Sequence, residues 1–303
     1  MRKPTTMLTA VAAALCATVL AGGAVSAAPP ASGPDGTLVT TTLTNAAGTR
    51  AYQVYTPRGL APGRPLIAWV HGTSKVRNGD PMGLRRSNTL LAEADRLGFS
   101  VVAPLQSLRA NGSGMWQFFE PAGLTRGHGE VSILADILRI AARDQRADPR
   151  RIYAIGHSAG GGAVQVLGAL YPDIVSAIAV SAGFPFLGDP TGTAARRARA
   201  GRPVPTFLIH GDRDDVAPPI IGAAELSAAL SANGIGGARP SGSRYLPAVG
   251  ADRYPTRITT FGAGRTEVVV AEVIGAGHQT GPGGVTLNGP RLDRWVVGFL
   301  LAH

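Results

Sequence analysis

The stretch Arg151-Ile-Tyr-Ala-Ile-Gly156-His157-Ser158-Ala159-Gly160-Gly161-Gly162 sets a hydroxyl nucleophile among the smallest possible neighbours. Gly156, Ser158 and Gly160 form a G-x-S-x-G pattern between an apolar run and a helix-forming one. A serine on a sharp strand-to-helix turn is strained, so its flanks must be small, and the turn lifts its Oγ above the sheet edge. The helix that follows points its N-terminus at the site and favours developing negative charge. A Gly-rich turn with Ser158 as a helix N-cap and a phosphate-binding loop are the competing readings; for the latter, neither G-K-[ST] nor G-x-G-x-x-G stands here. Ser158 is the candidate nucleophile for acyl transfer, and His157 beside it is expected to face the substrate.

A serine nucleophile needs a base and an acid to orient that base. Where the nucleophile sits on such a turn, the chain order is Ser, then Asp or Glu, then His. Of six histidines, His71, His128 and His157 precede or adjoin Ser158, His210 precedes the acidic cluster, and His303 is the last residue. His278 remains, in the loop Gly275-Ala276-Gly277-His278 just past an apolar run. Three candidates for the acid, Asp212, Asp214 and Asp215, share the loop after the run Thr206-Phe-Leu-Ile-His210. A tetrahedral oxyanion also needs two donors. One is the backbone N–H of Ala159. The other is expected from His71-Gly72-Thr73-Ser74, where the glycine lets the Thr73 N–H face the site. His71-Gly72 also reads as a plain strand end with a satisfied histidine.

These residues need a scaffold that brings strand ends together. Continuous apolar runs at 65–71, 99–103 and 151–156 read as buried strands. Further strands are expected at 174–181, 206–210 and 266–274, and a hairpin from 37–43 and 52–56. Helices are expected at 83–97, 130–146, 159–171, 223–233 and 291–301. Strands alternating with helices predict βαβ units, hence an α/β fold with a mostly parallel sheet covered on both faces.

Composition agrees and removes other classes. The chain has 303 residues, of which 45% are hydrophobic and 16% charged, which argues against disorder. The 41 Gly and 23 Pro follow no three-residue period, so collagen is excluded. A single Cys excludes a disulfide scaffold, a multi-Cys zinc domain and an iron–sulfur protein. No metal and no organic cofactor are expected.

Arg2-Lys3, a small apolar stretch over 7–25 and Val25-Ser26-Ala27 read as a secretory signal peptide over 1–27, cleaved before Ala28. Residues 28–36 form a Pro/Ala/Gly linker and 37–303 a single domain. Cleavage removes Cys16 and lowers the net charge from +10 to +8. The arginines are scattered and aromatics make up only 6% of the chain, so nucleic acid is not an expected partner. The densest basic patch, 196–202, reads as a solvated face. An extracellular monomer without stable membrane insertion is expected.

At this point the sequence resembles the α/β-hydrolase fold, and within it the secreted serine esterases of the polyhydroxybutyrate depolymerase / feruloyl esterase type. Five blocks carry the resemblance: Tyr52–Leu60 with Arg64–Gly72; Trp116-Gln-Phe-Phe119; Arg126-Gly-His-Gly-Glu130; Asp148–Gly162; and His210-Gly-x-x-Asp214 with Gly277-His278 and Pro282-Gly283-Gly284. The resemblance implies a Ser158, Asp214 and His278 triad, Thr73 and Ala159 as oxyanion donors, and Trp116 as a pocket wall, although Trp116, Phe118 and Phe119 read equally well as core. It also implies a small or polymeric carboxylic ester as substrate. Members often carry a cysteine after the His-Gly and another before the Trp, which can pair; Thr73 and Met115 stand there here. Gly156–Gly162 and the acid loop also resemble secreted polyester hydrolases of the cutinase or lipase type. A hydrolase fold kept only for binding is the reading from another class, and the complete triad argues against it.

Overall fold

The computed structural model describes residues 34–73, 84, 88–185, 202–281 and 284–303. The signal-peptide reading, most of the linker, Ser74, the expected start of the first helix, the 196–199 arginines, Pro282 and Gly283 lie outside the described residues.

The strands expected from apolar runs form the middle of one sheet. They are β3 (Leu66–Val70), β4 (Ser100–Pro104), β5 (Ile152–His157), β6 (Ala177–Ser181), β7 (Thr206–Gly211) and β10 (Val268–Val273). All six run parallel, in the order β4-β3-β5-β6-β7-β10. Every residue of β3, β4, β5, β6 and β7 is buried, as strands covered on both faces must be. The hairpin of β1 (Thr37–Asn45) and β2 (Gly48–Thr56) joins antiparallel at β4. On the far side β9 (Thr256–Phe261) and β8 (Gly242–Leu246) join antiparallel at β10.

Alternation along the strands supplies two cores. Leu66, Ala68 and Val70 face one core with α2 (Gly129–Asp144), α3 (Ala159–Leu170) and α4 (Pro219–Ala232). Ile67 and Trp69 face the other, with α1 (Asn88–Leu97) and α5 (Pro290–Ala302). This is the α/β-hydrolase arrangement, with helices on both faces of a mostly parallel sheet.

Three expectations shift. β6 begins at Ala177 rather than at 174, because the Ile174 and Val175 amides donate back to the Tyr171 carbonyl and close the end of α3. α4 begins at Pro219 rather than at 223, since a proline fits a first helical turn whose N–H groups lack partners. β8 and β9 were not expected at all. β8 is a solvent-facing edge without a buried stripe, and of β9 only Thr256, Ile258 and Phe261 are buried.

Candidate active site

Ser158 follows β5 and caps α3 with φ 53° and ψ −123°, left-handed backbone that a non-glycine residue adopts only under strain. The turn is pinned by the Ser158 N–H donating to the Ser181 carbonyl (2.9 Å) and the Gly162 N–H donating to the Ser158 carbonyl (3.1 Å). The flanking glycines are required by close approach. A β-carbon on Gly156 would lie 2.3 Å from the Gly160 carbonyl oxygen, and one on Gly160 would lie 2.1 Å from that of Val70. Both obstacles are backbone and cannot swing away. Gly160→Ala is expected to cost roughly 3 kcal/mol, the upper part of the overpacking range, which lowers the thermal midpoint by about 6–12 °C. A midpoint within about 2 °C of the parent would contradict that packing.

The acid and base loops leave adjacent parallel strands. After β7 the chain carries Asp214, and after β10 it carries His278. The His278 Nε2 lies 2.8 Å from the Ser158 Oγ, and its Nδ1 lies 2.8 Å from the Asp214 Oδ2. The Asp214 carboxylate also accepts the Val216 and Ala217 N–H groups at 2.9 and 2.7 Å. These bonds fix the carboxyl group's orientation toward the ring. Asp212 is exposed and accepts the Gly275 N–H, while the Arg213 N–H donates to the Ala276 carbonyl. Asp212 therefore laces the two loops together without reaching His278. Asp215 is exposed.

Behind His278 the loop is held by a buried carboxyl. Asp293, in the first turn of α5, accepts the Val285 and Thr286 N–H groups. Burial pushes this carboxyl up to about 6, against the lowering pull of those donors. Between about pH 4 and 6 the native state holds a proton there that the unfolded chain has released, so stability falls as pH rises through that window. The change over two pH units is about 3 kcal/mol. The stability of the wild type relative to Asp293→Asn is expected to decline by that amount between pH 4 and 7. A pH-independent difference in denaturant titrations would refute it.

The loop after β3 comes up against the nucleophile. A β-carbon on Gly72 would lie 2.9 Å from the Ser158 Cβ. Among the described residues no acceptor takes the N–H of Thr73 or of Ala159. Thr73 is exposed. His71 is satisfied on both ring nitrogens, by the Gly72 carbonyl (2.6 Å) and the Gln106 N–H (3.0 Å). Burial pushes its pKa down to about 4.

The two expected contact residues are both buried. Trp116 is fully buried, with its ring 5.6 Å from that of His71, so it packs behind the Gly72 loop instead of forming an open pocket wall. His157 is buried with its ring 5.2 Å from that of His278. Its pKa is pushed down to about 4 by burial and by the neighbouring His278 charge. In β5 its side chain belongs to the Tyr153 and Ile155 face, which turns it into the protein. Among the described residues no three metal-ligating side chains come together, and no helix is long and apolar enough to cross a membrane.

The sequence reading did not find the buried network around Gln106. The Arg50 Nε donates to the Gln106 Oε1 (2.7 Å), and the Gln106 Nε2 donates to the Glu130 Oε2 (2.7 Å). Arg50 and Glu130 pair directly at 2.5 Å. Glu130 also accepts the N–H of Gln117, next to Trp116. The only sequence trace was Glu130 itself, within the Arg126–Glu130 block.

Comparison with known proteins places the chain in a family. Residues 50–233, more than half the chain, match the family model "Esterase PHB depolymerase". Poly(3-hydroxyalkanoate) depolymerase C of Paucimonas lemoignei is 29% identical over 132 residues, 44% of this chain and 31% of that protein. Poly(3-hydroxybutyrate) depolymerase of Ralstonia pickettii is 32% identical over 139 residues, 45% of this chain and 28% of that protein. The matches thus span about a third of the length of those relatives. An acetyl xylan esterase structure from Aspergillus awamori shares the fold, with a TM-score of 0.66 at 18% identity over 87% of this chain and 100% of that one. The chain belongs to the esterase PHB depolymerase family.

Proposed function

We propose that this protein is a secreted serine esterase that hydrolyses carboxylic esters through an acyl-enzyme. The observation that carries the reading is the unbroken contact chain Ser158–His278–Asp214, at 2.8 Å for each link, on a strained strand-to-helix turn. In this reading His278 takes the Ser158 proton as the oxygen attacks the ester carbonyl, and Asp214 holds the imidazole in the required tautomer. The Ala159 and Thr73 N–H groups receive the oxyanion. His278 returns its proton to the leaving alcohol, then activates water to release the acid. No step calls for a metal or an organic cofactor.

The family, with relatives that are polyhydroxyalkanoate depolymerases, feruloyl esterases and acetylxylan esterases, supports polyhydroxyalkanoate, feruloyl or acetyl esters as the substrate class. The domain reading joins the proposal: a signal peptide at 1–27, a linker at 28–36 and a catalytic domain at 37–303, with export to the extracellular space. The test is a fluorophosphonate probe followed by peptide mass spectrometry, run beside turnover of p-nitrophenyl esters of increasing acyl length. Stoichiometric labelling of Ser158 together with turnover is expected. A chain with no labelling and no turnover would refute the reading.

A further inference from the structure

The acceptors and donors around His71 fix its protonation. The Gly72 carbonyl can only accept, so the Nδ1 facing it at 2.6 Å carries the hydrogen. The Gln106 N–H can only donate, so the Nε2 facing it at 3.0 Å is bare. His71 is therefore the neutral Nδ1–H tautomer, and both bonds are buried. The far end of this chain of bonds is rigid. Gln106 is held by Arg50, by Glu130 and by the Met115 carbonyl, and Arg50, Gln106 and Glu130 are all buried.

A trans peptide is planar, and its C=O and N–H point in opposite directions. Holding the Gly72 carbonyl on His71 therefore turns the N–H of the same peptide, that of Thr73, away from the interior network. That N–H has no acceptor among the described residues, and Gly72 itself lies against the Ser158 Cβ. Gly72 has no side chain to resist rotation of this peptide, so without an anchor the donor would not be aimed.

We propose that His71 is a positioning residue: it anchors the Gly72–Thr73 peptide so that the Thr73 N–H faces the oxyanion formed at Ser158, with the Arg50–Gln106–Glu130 cluster as its mount. This rests on the esterase reading above and adds to it the device that sets one of its two donors in advance. Preorganised donors matter because the transition state then needs no reorganisation, and loss of one costs about 100-fold in kcat or more.

The test compares His71→Gln with His71→Asn. The asparagine amide N–H sits where the Nδ1–H sat and can still hold the Gly72 carbonyl, whereas the longer glutamine amide cannot. His71→Gln is expected to lower kcat about 100-fold, with KM within about threefold, and to weaken inhibition by a phenylboronic acid by a similar factor. His71→Asn is expected to recover kcat to within about tenfold of the parent. A general packing defect would not divide the two variants this way, nor spare KM. Unimpaired kcat in His71→Gln, or equal losses in both variants, overturns the proposal. If His71→Gln does not fold, imidazole nitrogen shifts of the ¹⁵N-labelled wild type decide. The Nδ1–H tautomer at His71 supports the proposal and the Nε2–H tautomer overturns it. Ser158→Ala run alongside separates the two levels. Wild-type turnover in that variant would refute the esterase reading, whereas its inactivity together with an unimpaired His71→Gln refutes only the role of His71.

Discussion

Ser158→Ala is expected to lower kcat on p-nitrophenyl butyrate by about 10⁶-fold, as removal of a triad serine does when its partners stay in place. The loss should be local. The pins of the turn are backbone bonds, from the Ser158 N–H to Ser181 and from the Gly162 N–H to Ser158, and alanine keeps both. The left-handed φ of 53° is no harder for alanine than for serine. The thermal midpoint should therefore stay within about 2 °C of the parent. The Ala159 and Thr73 N–H groups remain, so some rate above water persists, on the order of 10³–10⁴-fold. Fluorophosphonate labelling should vanish altogether. A variant that folds like the parent and still turns over near the parental rate would refute the nucleophile.

The middle of the fold was legible because burial on both faces forces continuous apolar segments, and those segments survive in sequence as 65–71, 99–103 and 151–156. The β8 edge was not legible for the same reason in reverse, although the hairpin at the other edge was. β8 reads Gly-Ser-Arg-Tyr-Leu and shows its side chains to solvent, so pairing with β9 alone defines it. Backbone pairing leaves no residue-type signature.

The site divides along a similar line. Ser158 was legible because strain demands glycines at fixed offsets, and His278 because chain order removed the other histidines. Trp116 stayed open between core and pocket because an aromatic residue satisfies both equally well, and its packing on His71 joins positions far apart in sequence. The Arg50–Gln106–Glu130 cluster joins residues up to 80 positions apart. No local pattern encodes such a contact. His71 looked like a strand end with a satisfied histidine, and it is satisfied on both nitrogens. What the sequence could not show is that one of those bonds is to the peptide carrying the Thr73 N–H.

The choice among three aspartates is where geometry adds most to the sequence, and it yields the second large effect. Asp214→Asn is expected to lower kcat about 10⁴-fold at neutral pH. The asparagine oxygen can still accept the Val216 and Ala217 N–H groups that now meet the Asp214 Oδ1, so the loop keeps its shape. The amide NH₂ then faces the His278 Nδ1, where the carboxylate Oδ2 accepted at 2.8 Å. A donor there forces the Nδ1 to accept and moves the imidazole hydrogen to the Nε2, 2.8 Å from the Ser158 Oγ. In that tautomer His278 cannot take the serine proton, and no buried negative charge balances the imidazolium of the transition state. Asp212→Asn should differ sharply. Its oxygen can still accept the Gly275 N–H that ties the two loops, so kcat is expected to stay within about threefold. Asp215 is exposed, and Asp215→Asn is expected to leave kcat within about twofold. Steady-state kcat for the three variants on one p-nitrophenyl ester is the measurement. A larger loss at position 212 or 215 than at 214 would reassign the acid, because only the Asp214 carboxylate shares a hydrogen bond with His278 among the described residues.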